Sequence, residues 1–255
     1  MPKIITVVSP KSGCGATVSA AYLWQCIVRE SHSILAVDMC AQHSTLDLTI
    51  GSEGCAPYNI NDVAIGLCTL DDALYRPEEC PNAAFLSGAY GGDYVGFHKI
   101  AEMAADTDFE YLIADVCYDD YITDFALAED SSIVIYVTDC TYASVRMCAV
   151  AAQSADFDKS YILINKIIPE YIENGFCPDV DNIVDSVGLR PIGLIPWDPD
   201  AVRVSCMGIL NTDTSGDAAD AFANTALRIK GQAVPAIDFD RYYDCFKIKK
   251  RRFNK

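Results

Sequence analysis

The run Lys11-Ser12-Gly13-Cys14-Gly15-Ala16-Thr17 follows directly on the β-branched stretch Ile4-Ile5-Thr6-Val7-Val8 and precedes a segment with helical spacing. A strand feeding a glycine-rich turn that opens a helix constrains this chain more than any other feature. Glycines let backbone N–H groups turn inward, and the positive end of the next helix faces the same point, so such a loop cradles an anion, phosphate above all. The residue before the Ser or Thr of such loops is ordinarily a lysine that reaches the terminal phosphates. Here it is Ala16. The cradle is present and its usual point charge is not.

The rest of the chain alternates. Strand-like runs fall at 3–9, 33–38, 83–86, 109–115, 132–138, 160–165 and 190–195, each short and rich in Val, Ile or Tyr. Their near-continuous hydrophobicity predicts strands covered on both faces. Helical spacing appears over 17–29, 142–155, 180–187 and 218–229, and residues 88–96, with four glycines, read as a loop. This alternation predicts an α/β fold, a mostly parallel twisted sheet with helices on both faces in three layers. One domain over 1–238 with an appendage at 239–255 is the simplest division. Ligands of such sheets sit at the carboxyl ends of the strands. There the chain places Asp38, Asp115 and Asn165: two carboxylates suited to a magnesium ion or a water, and an amide suited to a base edge.

Several function classes are disfavoured. No apolar run approaches the roughly 18 residues that cross a bilayer, and the start does not read as a secretory signal, so a cytoplasmic protein is expected. Twelve cysteines lie scattered with no Cys-x-x-Cys pair, which predicts free thiols in a reducing compartment. Three histidines without ligand spacing to a cysteine pair argue against a zinc site. The net charge is −17, yet seven of the 19 Lys and Arg lie in 241–255 beside a single acid, Asp244. The acidic body makes nucleic acid an unlikely partner, and the tail alone is left to meet an anionic one.

In this setting the chain resembles the MinD/ParA family of deviant Walker P-loop ATPases. Residues 9–17 resemble its lysine-bearing loop, 35–51 its switch segment with a downstream Leu46-Asp47-Leu48, and 109–115 its Walker B strand. Asn165 and Gly193-Leu194-Ile195-Pro196-Trp197-Asp198 resemble its base-binding region, and the basic, aromatic end resembles a membrane-targeting tail. The resemblance implies the P-loop NTPase fold, ATP and Mg²⁺ as cofactors, and a homodimer that sandwiches nucleotide. Lys11 then matches the lysine that reaches the partner's phosphates, and Asp38 the switch carboxylate, as the catalytic pair. Ser12, Gly13, Cys14, Gly15, Ala16, Thr17 and Val18 match the phosphate loop, with Asn165, Pro196 and Asp198 at the base. Thr17, Asp38 and Asp115 match the metal-binding positions, and Asp47 an acid of the switch.

The departures from that pattern fall on turnover. Ala16 replaces the loop lysine, Cys40 the second Asp of the switch Asp-x-Asp, Ser12 a glycine, and Val116-Cys117-Tyr118 follows Walker B in place of a small-residue turn. One lost charge-assisted phosphate contact costs on the order of 1.5–3 kcal/mol. Weak or absent hydrolysis is therefore expected, with a pseudo-ATPase scaffold as the alternative. Such degenerate loops also resemble the TadZ/CpaE branch, which implies localisation in pilus or secretion assembly beside the cell-division role. In the tail, Phe239, Tyr242, Tyr243 and Phe246 keep helical spacing, and five bases lie within 247–252. That pattern suits an amphipathic segment on an anionic membrane, peripheral at its inner face. A protein partner for localisation, or folding of the tail onto the acidic body, are the other readings.

Overall fold

The computed structural model describes all residues except 31, 42, 90, 92, 94, 118–128, 238–240, 243–244 and 246–255. Its elements are β1 (Lys3–Ser9), α1 (Ala16–Arg29), β2 (Ile34–Asp38), α2 (Leu46–Ile50), α3 (Ile60–Ala64), α4 (Leu70–Ala73), β3 (Leu74–Tyr75), β4 (Ala83–Leu86), α5 (Phe97–Ala105) and β5 (Tyr111–Cys117). There follow β6 (Ile133–Asp139), α6 (Tyr142–Ala151), β7 (Ser160–Ile167), α7 (Pro169–Glu173), α8 (Val180–Val187), β8 (Arg190–Pro196), α9 (Pro199–Met207) and α10 (Asp217–Ile229).

The strands form one eight-stranded sheet in the order β3-β4-β2-β5-β1-β6-β7-β8, and every pair except the edge pair β3/β4 is parallel. The three-layer α/β expectation holds. Alternation along β1 shows how it is built: Ile5 and Val7 enter a core under α1 and α10, while Ile4 and Val8 enter cores on the opposite face. Period-two side chains with both faces buried read as an unbroken apolar run. Tyr22 stacks on Phe222 at 4.6 Å between ring centroids and locks α1 to α10. On the other face α5 covers the β2 side of the sheet, and α6 and α8 cover the β7 side.

The seven expected strands are all present. The helix expected over 142–155 stops at Ala151, with a 3₁₀ turn over Ala152–Ser154, and the Walker B strand runs two residues past Asp115 to Cys117. β3 and the helices α2–α5, α7 and α9 were not expected from the sequence. Of the tail, Phe239, Tyr243, Phe246, Ile248 and Phe253 lie outside the described residues. Those described fold onto the body. Tyr242 and Cys245 are buried in the core under α6 and α8, the Tyr242 hydroxyl donates to Asp217 at 2.7 Å, and Arg241 pairs with the same carboxylate.

Candidate nucleotide-binding site

β1 lies inside the sheet, so its carboxyl end delivers the glycine loop to the centre of the strand-end crevice. Gly13 and Gly15 take φ of 84° and 92°, the left-handed region that glycine enters without Cβ strain. Gly15 caps α1 without a side-chain hydrogen bond, and the first turn of α1 carries no acidic residue. The helix therefore presents N–H groups and the positive end of its dipole with no side-chain anion of its own to answer them.

The loop is held from β7. The Asn165 amide donates to the Cys14 carbonyl at 3.0 Å, and a Cβ on residue 15 would lie 2.3 Å from that amide nitrogen. Gly15 is thus fixed twice, by its dihedral and by Asn165. The adjoining Lys166 donates from its ammonium to the Gly13 carbonyl at 2.6 Å. Lys166 has φ of 56°, the only positive value among the described non-glycine residues, and sits where the β7/β8 register shifts between Ile164 and Ile167. A lysine in the left-handed region thus lies against a loop that has Ala16 in place of its second lysine.

A cavity of about 580 Å³ opens here, lined among others by Ser12, Gly15, Ala16, Thr17, Cys40 and Lys166. Its size suits a small ligand. A second cavity of about 560 Å³, lined by Ser33, Asn82 and Phe109, lies at the amino ends of β2, β4 and β5, away from the loop.

Beside the loop, Asp38 and Asp115 pair across β2 and β5. Asp38 is buried and accepts from the Cys40 N–H (3.0 Å), the Ser44 hydroxyl (2.9 Å) and the Leu46 N–H (2.9 Å), and so organises the switch segment. Burial lifts its pKa to about 6 against the pull of those bonds. Asp115 is equally buried and neither carboxylate oxygen has a hydrogen-bond partner. Burial first, and then the Asp38 charge, push it up to about 8, and the nearby Thr17 hydroxyl, which falls short of hydrogen-bond geometry, pulls the other way. Without a cation the pair therefore retains a proton near neutrality. The Cys117 thiol donates to Cys40 Sγ at 2.9 Å, and ligand atoms of Asp38, Cys40 and Asp115 lie within 4.8 Å of one another. Sharing a hydrogen bond with Cys117 that favours the protonated Cys40, then burial, drive the Cys40 thiol upward.

The remaining expected residues are distributed as follows. Thr17 and Val18 line the cavity. The Lys11 ammonium bonds the Ser12 carbonyl at 3.2 Å and is not among the cavity's lining residues. The Asp47 carboxylate accepts from the Leu48 N–H at 2.8 Å. Pro196 is buried at the end of β8. Asp198 caps α9 through the Asp200 N–H at 2.9 Å and accepts from the Ala218 N–H at 3.3 Å. Asn165, Pro196 and Asp198 are absent from the cavity lining, and the bonds of Asn165 and Asp198 hold the loop and two helix starts. The sequence reading passed over Lys166, whose signal was its position directly after Asn165. It also passed over the meeting of Cys40 with Cys117, which are 77 residues apart.

A glycine loop at the end of a central parallel strand, opening a helix beside a buried strand-end aspartate, defines a P-loop NTPase fold. No family model matches the chain. Among curated proteins it is 27% identical over 250 residues to the septum site-determining protein MinD of Synechocystis, covering 94% of this chain and 93% of that protein. Among solved structures it superposes on the MinC:MinD cell division complex of Aquifex aeolicus with a TM-score of 0.80 at 22% identity, covering 91% of this chain and 98% of that one. On the Pyrococcus horikoshii MinD complexed with Mg-ADP the TM-score is 0.74 at 20% identity, covering 90% and 96%. Over nearly its whole length the chain is thus similar in sequence to MinD proteins, and it shares the fold of MinD and ParA ATPases.

Proposed function

We propose that this protein is a MinD/ParA-type positioning switch that binds ATP or ADP with Mg²⁺ and hydrolyses ATP weakly or not at all. The observation that carries this reading is the uncapped start of α1 opening on a cavity beside Asp115, whose buried oxygens lack partners. Backbone N–H groups of the loop would hold phosphate oxygens, and Thr17 with Asp115 would hold the magnesium ion, which when bound neutralises phosphate charge. Asp38 is committed to the switch segment through three hydrogen bonds and acts by positioning it. Lys166, against the loop, supplies positive charge that Ala16 does not, and Lys11 is left to reach a second copy. Cys40 places a thiol of raised pKa where the family has a carboxylate, which leaves no ready acceptor to orient an attacking water.

The switch would act as a homodimer, cytoplasmic and peripheral to an anionic membrane, presenting a localisation partner to a division or pilus and secretion site. No helix among the described residues is long and apolar enough to cross a membrane. Ala16 and Cys40 together also favour a second reading, a scaffold that keeps the fold without needing nucleotide. Cosedimentation with anionic vesicles tests the first. Because Tyr242 and Cys245 belong to the core, the informative truncation removes 246–255 only. Pelleting that rises with ATP–Mg²⁺, falls with salt and disappears in the truncated chain supports the switch. Pelleting indifferent to nucleotide supports the scaffold.

A further inference from the structure

We propose that Cys40, Cys117 and Asp115 form a site for a thiophilic divalent transition-metal ion of the zinc class. The sheet register creates it. Asp38 opposes Asp115 across the parallel β2/β5 pair, and the Met39 N–H continues the ladder to the Asp115 carbonyl at 2.9 Å. Two residues further along, Cys40 and Cys117 return to the same face as the two aspartates, and their sulfurs meet at 2.9 Å.

Ligand atoms of Asp38, Cys40 and Asp115 fall within 4.8 Å of one another, and Cys117 adjoins that cluster through its 2.9 Å contact with Cys40. Zinc bonds of about 2.3 Å to sulfur and 2.0–2.2 Å to oxygen require the two sulfurs to move apart and Cys117 to close on Asp115. The second, independent observation is Asp115 itself: 1% exposed, with both oxygens lacking a hydrogen-bond partner. A buried carboxylate in that state needs a proton or a cation. Asp38 holds the backbone of Cys40 through its N–H and so orients a ligand. Cys40 and Cys117 line the loop cavity, which supplies an entry path and leaves a fourth coordination position open to it. Two sulfurs select a soft or borderline ion over Mg²⁺, which takes oxygen donors. As each Sγ–metal bond forms, that thiol releases its proton to solvent, so uptake is accompanied by proton release. The ion would share Asp115 with the magnesium of the nucleotide reading, but the site does not depend on that reading.

The test uses the full reduced chain without nucleotide, titrated anaerobically with Co²⁺. One equivalent should give sulfur-to-cobalt charge-transfer absorption, unmoved by excess Mg²⁺ and displaced by Zn²⁺. Cys40→Ser and Cys117→Ser should each weaken binding by more than the roughly 10- to 100-fold that loss of an outer-shell partner costs. Asp115→Asn should weaken it while sparing the absorption, and Cys206→Ser, an exposed thiol, should change nothing. Cys117 is less buried than Cys40, so its variant serves if Cys40→Ser fails to fold. No charge-transfer band in the folded reduced chain, or a band that survives both Cys→Ser changes, overturns the proposal. ATP–Mg²⁺ calorimetry on the metal-free chain reports the nucleotide reading separately.

Discussion

Asp115 should make the metal-free, nucleotide-free protein less stable as the pH rises, and Asp115→Asn should abolish that loss. Its carboxyl goes from an ordinary 3.8 to about 8 on folding, chiefly through burial and then through the charge of Asp38. An acid whose folded pKa is raised favours the native state below its unfolded value, and that advantage is lost as pH climbs toward the folded one. Each unit corresponds to 1.36 kcal/mol, so the full shift sets an upper limit of about 6 kcal/mol. Asn is nearly isosteric and carries no charge, so pH effects from groups other than the coupled neighbour Asp38 cancel in the comparison. Between pH 5 and pH 7 the stability of Asp115→Asn relative to the parent should rise by up to about 3 kcal/mol. In a domain of this size that is about 5–10 °C in Tm. Urea and thermal unfolding in chelator at pH 5, 6 and 7 read this directly. A gap that stays constant with pH, or that narrows, would refute the account of an unpartnered buried carboxyl.

Other expectations concern the loop. Ala16→Lys should tighten ATP–Mg²⁺ binding by about 10- to 100-fold, the return of one charge-assisted contact, measured by calorimetry. Lys166→Gly should relieve the left-handed dihedral and raise the unfolding free energy by up to about 1 kcal/mol, while weakening nucleotide binding. A loss of stability with unchanged affinity would show that Lys166 only braces Gly13. Gly15→Ala should cost about 2 kcal/mol or more, because it combines a forbidden dihedral with a 2.3 Å collision against Asn165, and denaturant unfolding checks it.

Much of the fold was legible because parallel strands buried on both faces leave continuous apolar runs, as β1 and β6 do. The short helices were harder. α3 and α4 rest on capping boxes at Asn59 and Thr69 and span too few residues for a period to show. α9 begins at Pro199 and buries only Val204, so it has almost no apolar face to read. α5 was readable: Phe97, Ile100, Ala101 and Ala104 keep the helical interval and are its buried residues. In the site, the loop, Thr17, Asp38 and Asp115 were marked by local pattern. Lys166 acts through a register shift between β7 and β8, and the Cys40–Cys117 contact through strand pairing across 77 residues. Neither leaves a local spacing signature. The tail illustrates the same limit, since its aromatic interval did not reveal that Tyr242 turns back to Asp217.

The central claim is that this loop still answers to nucleotide although Ala16 stands where the lysine belongs. Calorimetry of ATP–Mg²⁺ binding to the full reduced chain, with sedimentation alongside and Lys11→Ala as the control, tests it most directly. Saturable binding that promotes a dimer, with the dimer lost in Lys11→Ala, is the expected result. No heat of binding and no change in mass at millimolar ATP would contradict it and leave a P-loop scaffold whose work is done by its surfaces.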